Sequence, residues 1–371
     1  MVPSDRAFLS RLFHLPVRKF PGMLPVSIRS ADVRDRLPYG YVVSVKADGE
    51  RAFLFLCERT VWLLDRRAGR RLLSTDSRVG DPGLTVLDVE VLAGPREVYV
   101  FDALVLGGRS VVGLGYLERL EATRHWVAGL RGAVPDQPMP GHELECPTGV
   151  PTTTFTIPGG STVDGSGWSV RLKPVYWVHH ADRVWGHRHC LPFPYDGLVF
   201  TRLLSRYSPF RSNPRAVIKW KEHHTVDVLV RPRAHGDQQS PEAVFVLGPV
   251  GTCLSDRGQP HVVCTTGPRG HPMVLGFLEA PGHRAGTVLE VLPAVGGWSV
   301  VGPRTDKAAP NTLETIARTI ESIGDGLTAD ALVNALSIST PVAGRAREQK
   351  PQDERKHGGV HLLCLARVGG M

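Results

Sequence analysis

Apolar and polar residues alternate along much of this chain in short runs broken by glycine, proline and asparagine or aspartate, the pattern of β-strands joined by tight turns. Tyr41–Ser44 and Ala52–Leu56 are strand-like and flank the loop Val45–Arg51. Thr60–Leu64, Leu84–Leu92, Val98–Leu106, Ser169–Trp177, Leu198–Phe200, Ala216–Lys221 and Thr225–Val230 read the same way. Helical spacing is confined to a few places. Phe8, Leu9, Leu12 and Phe13 share one side of a helix expected within Ser4–Leu15. Leu117, Leu120 and Val127 do so within Tyr116–Leu130, with Glu118 directed at solvent. Near the C-terminal end, Leu313, Ile316, Ile320 and Ile323 form a stripe, with Asn311 as N-cap, Glu314 in the capping-box position and Gly324 as the stop. A second short helix is expected from about Thr328.

From Arg231 the texture changes. Five short apolar runs recur between Gly/Pro turns (Ala243–Leu247, His261–Cys264, Met273–Leu278, Thr287–Leu292, Trp298–Val301), which predicts a small barrel of the OB type. The expected class is α+β: an antiparallel-sheet domain over 1–228, an OB-fold barrel with terminal helices over 229–340, and a charged, flexible tail over 341–371. The Pro-, Gly- and Thr-rich segment 131–168 reads as a long loop or insertion.

Composition narrows the classes. The length of 371 residues suggests about two domains, and 42% hydrophobic with 22% charged residues is ordinary for a globular protein. Forty glycines and thirty prolines argue against a helical bundle. Lys and Arg exceed Asp and Glu by 44 − 36 = 8, which suits an anionic partner such as nucleotide or nucleic acid. No pair of the six cysteines has C-x-x-C spacing, no apolar run is long enough to span a bilayer, and Met1–Phe20 lacks a signal-peptide core. A reducing, intracellular setting without membrane attachment is expected.

The chemistry concentrates at Lys46-Ala47-Asp48-Gly49-Glu50-Arg51. A lysine amine attacks only when unprotonated, and nearby cations with partial burial promote that state. Gly49 permits a tight turn or close approach to a ligand, and Arg51 offers a planar fork of donors. Asp88 and Glu90 are two apart and share one face of an apolar strand, which is costly unless cations, metal or hydroxyls meet them. An antiparallel pairing of that strand with the next would bring Glu90 and Phe101 towards one cleft. Lys219 and Lys221 share a strand face, with Trp220 on the other. His179, His180, His187, His189 and Cys190 fit no standard metal spacing and read as a surface or nucleic-acid-facing loop.

Taken in order, Lys46-Ala47-Asp48-Gly49-Glu50-Arg51, Leu64-Asp65-Arg66, Asp88-Val89-Glu90, Phe101-Asp102-Ala103, Arg171-Leu172-Lys173-Pro174, Asp196-Gly197-Leu198-Val199-Phe200, Lys219-Trp220-Lys221 and Arg304-Thr305-Asp306-Lys307 resemble the covalent nucleotidyltransferase superfamily. Within it the chain is most similar to the mRNA capping guanylyltransferases, over residues from about 40 to 335. Ser44, where ligases usually carry glutamate, the Lys-Trp-Lys block, and the final motif followed by Pro310-Asn311 distinguish it from ATP-dependent ligases. Gly302 departs from the pattern, since a basic residue often stands there.

The resemblance implies that Lys46 attacks the α-phosphate of GTP to form a lysyl-GMP intermediate, which then passes to the 5′-diphosphate end of RNA. By the same resemblance Arg51 belongs to the catalytic set, Glu90 and Arg66 hold the ribose, Phe101 stacks on guanine, and Lys173 reads the base. Lys219 and Lys221 contact the α-phosphate, while Asp196 and Asp227 position the lysine or a divalent cation, with Glu90 a second metal candidate. Arg304, Asp306 and Lys307 meet the β- and γ-phosphates. Mg²⁺ or Mn²⁺ is implied as cofactor, and nuclear or viral transcription as the setting. No phosphatase His-Cys-loop-Arg signature or methyltransferase Gly-rich turn is present, so separate proteins are expected for the RNA triphosphatase and cap methyltransferase steps. The rival readings are an RNA or DNA ligase charging Lys46 with AMP, and a non-catalytic RNA-binding subunit.

Overall fold

The structure, a computed structural model, describes residues 5–14, 16–17, 20–66, 69–75, 83–92, 96–130, 134–135, 153–157, 167–191, 193–209, 216–231, 242–244, 263–266, 272–275, 278–279, 282–284, 286–294, 297–305, 307, 309–311 and 313–337. The chain is a mixed α+β protein whose strands pair mostly antiparallel. It divides into two compact units: 1–26, 34–219 and 333–371 make the first, and 27–33 with 220–332 the second. The boundaries fall inside the strands Val26–Ser27 and Val217–Lys221 and inside the helices Ser30–Asp35 and Ala329–Ser337.

The first unit is organised by two sheets. In the larger, the strands follow the order Arg70–Ser74, Thr60–Asp65, Glu50–Cys57, Thr85–Val91, Glu97–Leu106, Trp168–Leu172, Thr153–Ile157, Val134–Pro135, with Arg109–Ser110 pairing Glu97–Leu106. Its central strands are rich in apolar residues because both of their faces are buried, with Asp88 and Asp102 as buried charged exceptions. Ala52, Leu54 and Leu56 point to one side, with Leu63, Leu87, Val89 and Val100, beneath Val127 of the helix Tyr116–Ala128. Phe53 and Phe55 point to the other, with Trp62 and Leu104, and are covered by Leu9 and Phe13 of the helix Asp5–Phe13. Phe8 meets Phe55 edge-on at 6.3 Å, and Phe20 stacks on Phe53 at 4.4 Å. The second sheet runs Val26–Ser27, Val217–Lys221, Tyr195–Arg202, Tyr41–Ala47, Tyr176–Trp177.

Both helices expected in the first unit are present, but Glu118 does more than face solvent. It accepts the Gly115 backbone N–H at 2.7 Å, satisfying a donor the helix start leaves open. The segment expected to be a long loop or an insertion, 131–168, contributes the strands Val134–Pro135 and Thr153–Ile157 among its described residues. Thr153–Ile157 extends the large sheet by pairing with Trp168–Leu172.

In the second unit the described strands order as Leu278–Glu279, Glu242–Val244, Val226–Arg231, Val288–Ala294, Gly297–Pro303, all antiparallel. Val263–Thr266 and Pro272–Leu275 form a separate hairpin. Among the described residues no closed barrel is formed, since the sheet has two end strands. The helix Leu313–Asp325 runs past Gly324 and ends at Gly326, whose φ of 58° suits a residue without a β-carbon. Ile316 of its stripe is fully buried. The next helix, Ala329–Ser337, is capped by Thr328, which accepts the Ala331 N–H at 3.2 Å. The tail beyond 337 lies outside the described residues.

Candidate active site

Lys46 lies near the end of the strand Tyr41–Ala47, in which all residues but Lys46 are buried, and its side chain keeps only 22% exposure. Its Nζ donates to Asp196 Oδ1 at 2.6 Å. Asp196 reaches it through a local irregularity: Tyr195 pairs with Ala47 and Gly197 with Lys46, leaving Asp196 as the extra residue of a bulge. Bulges re-aim side chains in this way. After the strand, Asp48 N–H donates to Pro194 O and Gly49 N–H to Glu90 Oε1 at 3.1 Å. A β-carbon on Gly49 would lie 2.6 Å from Val91 O, so the turn needs glycine for close approach.

Glu90 and Lys173 complete the pocket around the lysine. Lys173 is buried, and burial pushes its ammonium down to about 8; Glu90 opposes that shift and Lys46 adds to it. Burial likewise pushes the Glu90 carboxyl up, against the pull of Lys173, Lys46 and Arg51. The Lys173 Nζ sits 5.9 Å from the centre of the half-buried Phe101 ring. Tyr116 OH donates to Phe101 O, tying the strand to the helix above it.

Arg51 is placed differently from an open phosphate fork. Its Nε and NH2 donate to the two carboxylate oxygens of Asp88 at 2.9 and 2.6 Å, and NH1 donates to Met23 O. Its guanidinium lies over Phe20 at 5.6 Å and Phe101 at 5.3 Å. Asp88 has no exposed surface and also accepts from Tyr207 OH. Burial opposes the Arg51 charge, but Asp88 outweighs it and holds the guanidinium above its ordinary value. The sequence showed that Asp88 needed cations or hydroxyls; which ones depends on Met23, Phe20 and Tyr207, which no local pattern singled out. A second buried pair stiffens the neighbouring strand: Arg119 donates bidentately to Asp102 at 2.7 and 2.8 Å.

Arg66 sits exposed at the turn that follows Thr60–Asp65, while Asp65 itself accepts the Gly69 N–H. Lys219 and Lys221 are half-buried and alternate with buried Trp220, as the strand period requires.

A separate cluster belongs to the second unit. Asp227 is 4% exposed and accepts from Arg304 NH1 at 3.1 Å, from Lys307 Nζ, and from Asn311 Nδ2 at 2.9 Å. Asn311 Oδ1 accepts the Asp227 N–H, and Asn311 N–H donates to Asp227 O. This corrects Asn311 as a helix N-cap: the helix begins at Leu313, and the Asn311 amide instead braces Asp227 on both its side chain and backbone. Asp306 lies outside the described residues. Among those residues no three His, Cys, Asp or Glu side chains converge as a metal cage. No described helix is long and apolar enough to cross a membrane.

Residues 4–136 match the family described as mRNA capping enzyme, catalytic domain. The chain is 22% identical over 363 residues to the mRNA-capping enzyme of Caenorhabditis elegans, covering 92% of this chain and 53% of that protein. It is 27% identical over 247 residues to mRNA-capping enzyme subunit alpha of Eremothecium gossypii, covering 57% and 47%. The chain thus spans about half the length of the curated relatives it matches. Among solved structures it is similar to a mycobacterial DNA ligase D complexed with ATP and MES, with a TM-score of 0.42, 15% identity and coverage of 78% and 96%.

Proposed function

We propose that this chain, a member of the mRNA capping enzyme family through its residues 4–136, is an mRNA guanylyltransferase that works through a lysyl-GMP intermediate. The observation that carries the reading is the Lys46–Asp196 hydrogen bond at 2.6 Å, beside Lys173 and Glu90, which interact electrostatically with Lys46. A nucleophilic amine needs a partner to take or direct its proton, and Asp196 is in reach to do so. In the first step the Lys46 Nζ–Pα bond forms and the bond from Pα to the β-phosphate oxygen breaks. The lysine gives up a proton and pyrophosphate leaves. In the second, an oxygen of the RNA 5′-diphosphate attacks Pα, the Nζ–Pα bond breaks, and a proton returns to Nζ.

The remaining residues serve binding and charge neutralisation, which dominate phosphoryl-transfer catalysis. Glu90 and Arg66 hold the ribose, and Phe101 stacks on the guanine that Lys173 reads. Lys219 and Lys221 meet the α-phosphate. Arg304, Asp306 and Lys307 orient the leaving pyrophosphate. Arg51 acts by shaping the floor on which Phe101 rests. Mg²⁺ or Mn²⁺ supplies charge neutralisation at the triphosphate. Asp196 and Glu90 are the carboxylates that would hold it. The second unit is read as an OB-type barrel, its described sheet contributing five strands followed by two helices. RNA triphosphatase and cap methyltransferase activities come from separate proteins.

The test is incubation with α-labelled GTP or ATP and a divalent cation, followed by denaturation. GMP label that is lost in Lys46→Ala and chased onto 5′-diphosphate RNA is the expected result. AMP label would instead establish a ligase.

A further inference from the structure

Asp196 reaches Lys46 only through a local change of register. From Leu198 to Arg202 the strand Tyr195–Arg202 pairs regularly with Val45 to Tyr41, and Gly197 opposite Lys46 continues that register. One more regular step would set Asp196 opposite Ala47. Successive strand residues point to opposite faces and directly paired residues share one, so Asp196 would then lie on Ala47's face, away from the Lys46 side chain. Instead Tyr195 takes the place opposite Ala47, and Asp196 is the extra residue that accepts from Lys46 Nζ at 2.6 Å.

The bulge is held from upstream. Pro194 O accepts the Asp48 N–H at 2.9 Å. One residue earlier, the buried Phe193 meets Tyr99 edge-on, with ring centroids 4.9 Å apart. Tyr99 is a fixed seat: it is buried and pairs with Glu90 on one neighbouring strand and Arg171 on the other. Because paired residues share a face, Phe193 rests on the face that carries Glu90, whose carboxyl interacts electrostatically with Lys46. The aromatic contact therefore ties the segment bearing Asp196, in the smaller sheet, to the row bearing Glu90, in the larger. A return to regular pairing would shift the chain before Gly197 by one residue, about 3.3 Å along the strand, and would draw the Phe193 ring off Tyr99.

We infer that Phe193 is a positioning residue: seated on Tyr99, it holds the bulge that aims Asp196 at the Lys46 amine. The inference rests on the guanylyltransferase reading, in which Asp196 directs the proton of that amine, and it gives a role to an aromatic pair that the reading leaves unused.

The experiment is a double-mutant cycle of Phe193→Ala with Asp196→Ala, read in two ways. One readout is the single-turnover rate of lysyl-GMP formation as GTP is varied, which separates the limiting rate from the GTP concentration giving half of it. The other needs no catalysis: the rate at which acetic anhydride acetylates Lys46, followed by peptide mapping against an added reference peptide. Phe193→Ala should lower the limiting rate about ten- to a hundredfold, the scale of a misplacement of about 1 Å at a reacting group, with little change in the half-maximal GTP concentration. It should also release the amine, so that Lys46 acetylates several-fold faster, as in Asp196→Ala. The double variant should match Asp196→Ala in both readouts, because residues acting through one contact are not additive. Phe193→Leu, which keeps much of the buried volume, should restore most of both. Phe193→Val should give the alanine pattern at reduced size, and it decides the matter if Phe193→Ala does not fold. Effects that multiply with those of Asp196→Ala, or wild-type values in both readouts, overturn the role. If wild type forms no lysyl-GMP, the guanylyltransferase reading falls, and the acetylation cycle still decides whether Phe193 holds Asp196 against Lys46.

Discussion

Replacing Asp88 by asparagine tests whether the Arg51 environment is a structural prerequisite of the pocket. Asp88 is fully buried and accepts three hydrogen bonds, two from Arg51 and one from Tyr207. Asparagine keeps the shape but removes the charge and turns one acceptor into a donor that faces another donor. Breaking a buried pair on one side costs about 3–5 kcal/mol, because the remaining charge loses its counterion. Arg51 retains 17% side-chain exposure, so the lower part of that range applies, and the misplaced amide adds about 1 kcal/mol. A total near 4 kcal/mol corresponds to a fall in Tm of roughly 8–16 °C for a unit of this size. Differential scanning calorimetry reads the shift directly. The triple variant Arg51→Met/Asp88→Leu/Tyr207→Phe removes all three polar partners at once. It should regain most of that stability while forming little lysyl-GMP, since apolar replacements of buried ion pairs are often neutral. A Tm loss under about 3 °C in Asp88→Asn, or a triple variant no more stable than it, would refute the reasoning.

Lys173 should show as a pH effect. Its folded value is about 8 against 10.5 ordinarily, so between these the unfolded chain holds a proton the folded one has released, and this group's contribution to stability rises with pH across that window. GTP affinity that depends on the ammonium should fall as pH passes through about 8, and Lys173→Met should flatten the fall in a fluorescence titration. Asp227→Ala leaves Arg304 and Lys307 without their shared carboxylate; it should destabilise the second unit by about 2–3 kcal/mol on thermal unfolding, with Asn311→Ala about half as harmful. Glu118→Ala should cost about 1 kcal/mol through the lost cap on the Gly115 N–H, measurable as a small Tm shift with unchanged lysyl-GMP yield.

Much of the local structure was legible because it follows from period and turn chemistry. The strand Tyr41–Ala47 reads as a buried, largely apolar run interrupted only at Lys46, and Gly49 is a glycine because Val91 O leaves no room for a β-carbon. The shared face of Asp88 and Glu90 was legible too, since a strand period of two fixes it. What escaped is what only tertiary placement decides. Nothing near Arg51 announces that Met23 O will accept from it or that Tyr207 OH will donate to its partner Asp88, because those residues arrive from distant parts of the chain. Asn311 sits where an N-cap belongs, but the buried Asp227 competes for its side-chain amide and wins by offering a charged acceptor to Nδ2 and a backbone N–H to Oδ1. Gly324 looked like a helix stop, yet Gly326 has the left-handed conformation that ends the helix. Thr153–Ile157 became a strand within a Pro- and Gly-rich stretch because a sheet edge was there to pair with it.

The proposed chemistry begins with covalent guanylylation of Lys46. The most direct measurement is intact mass of the protein after incubation with GTP and Mg²⁺ or Mn²⁺, followed by peptide mapping at neutral to alkaline pH to preserve the phosphoramidate. One added GMP is expected, located on Lys46 and absent from Lys46→Ala. A GMP located on any other residue, an adduct formed with ATP in preference to GTP, or no adduct in folded protein would contradict it.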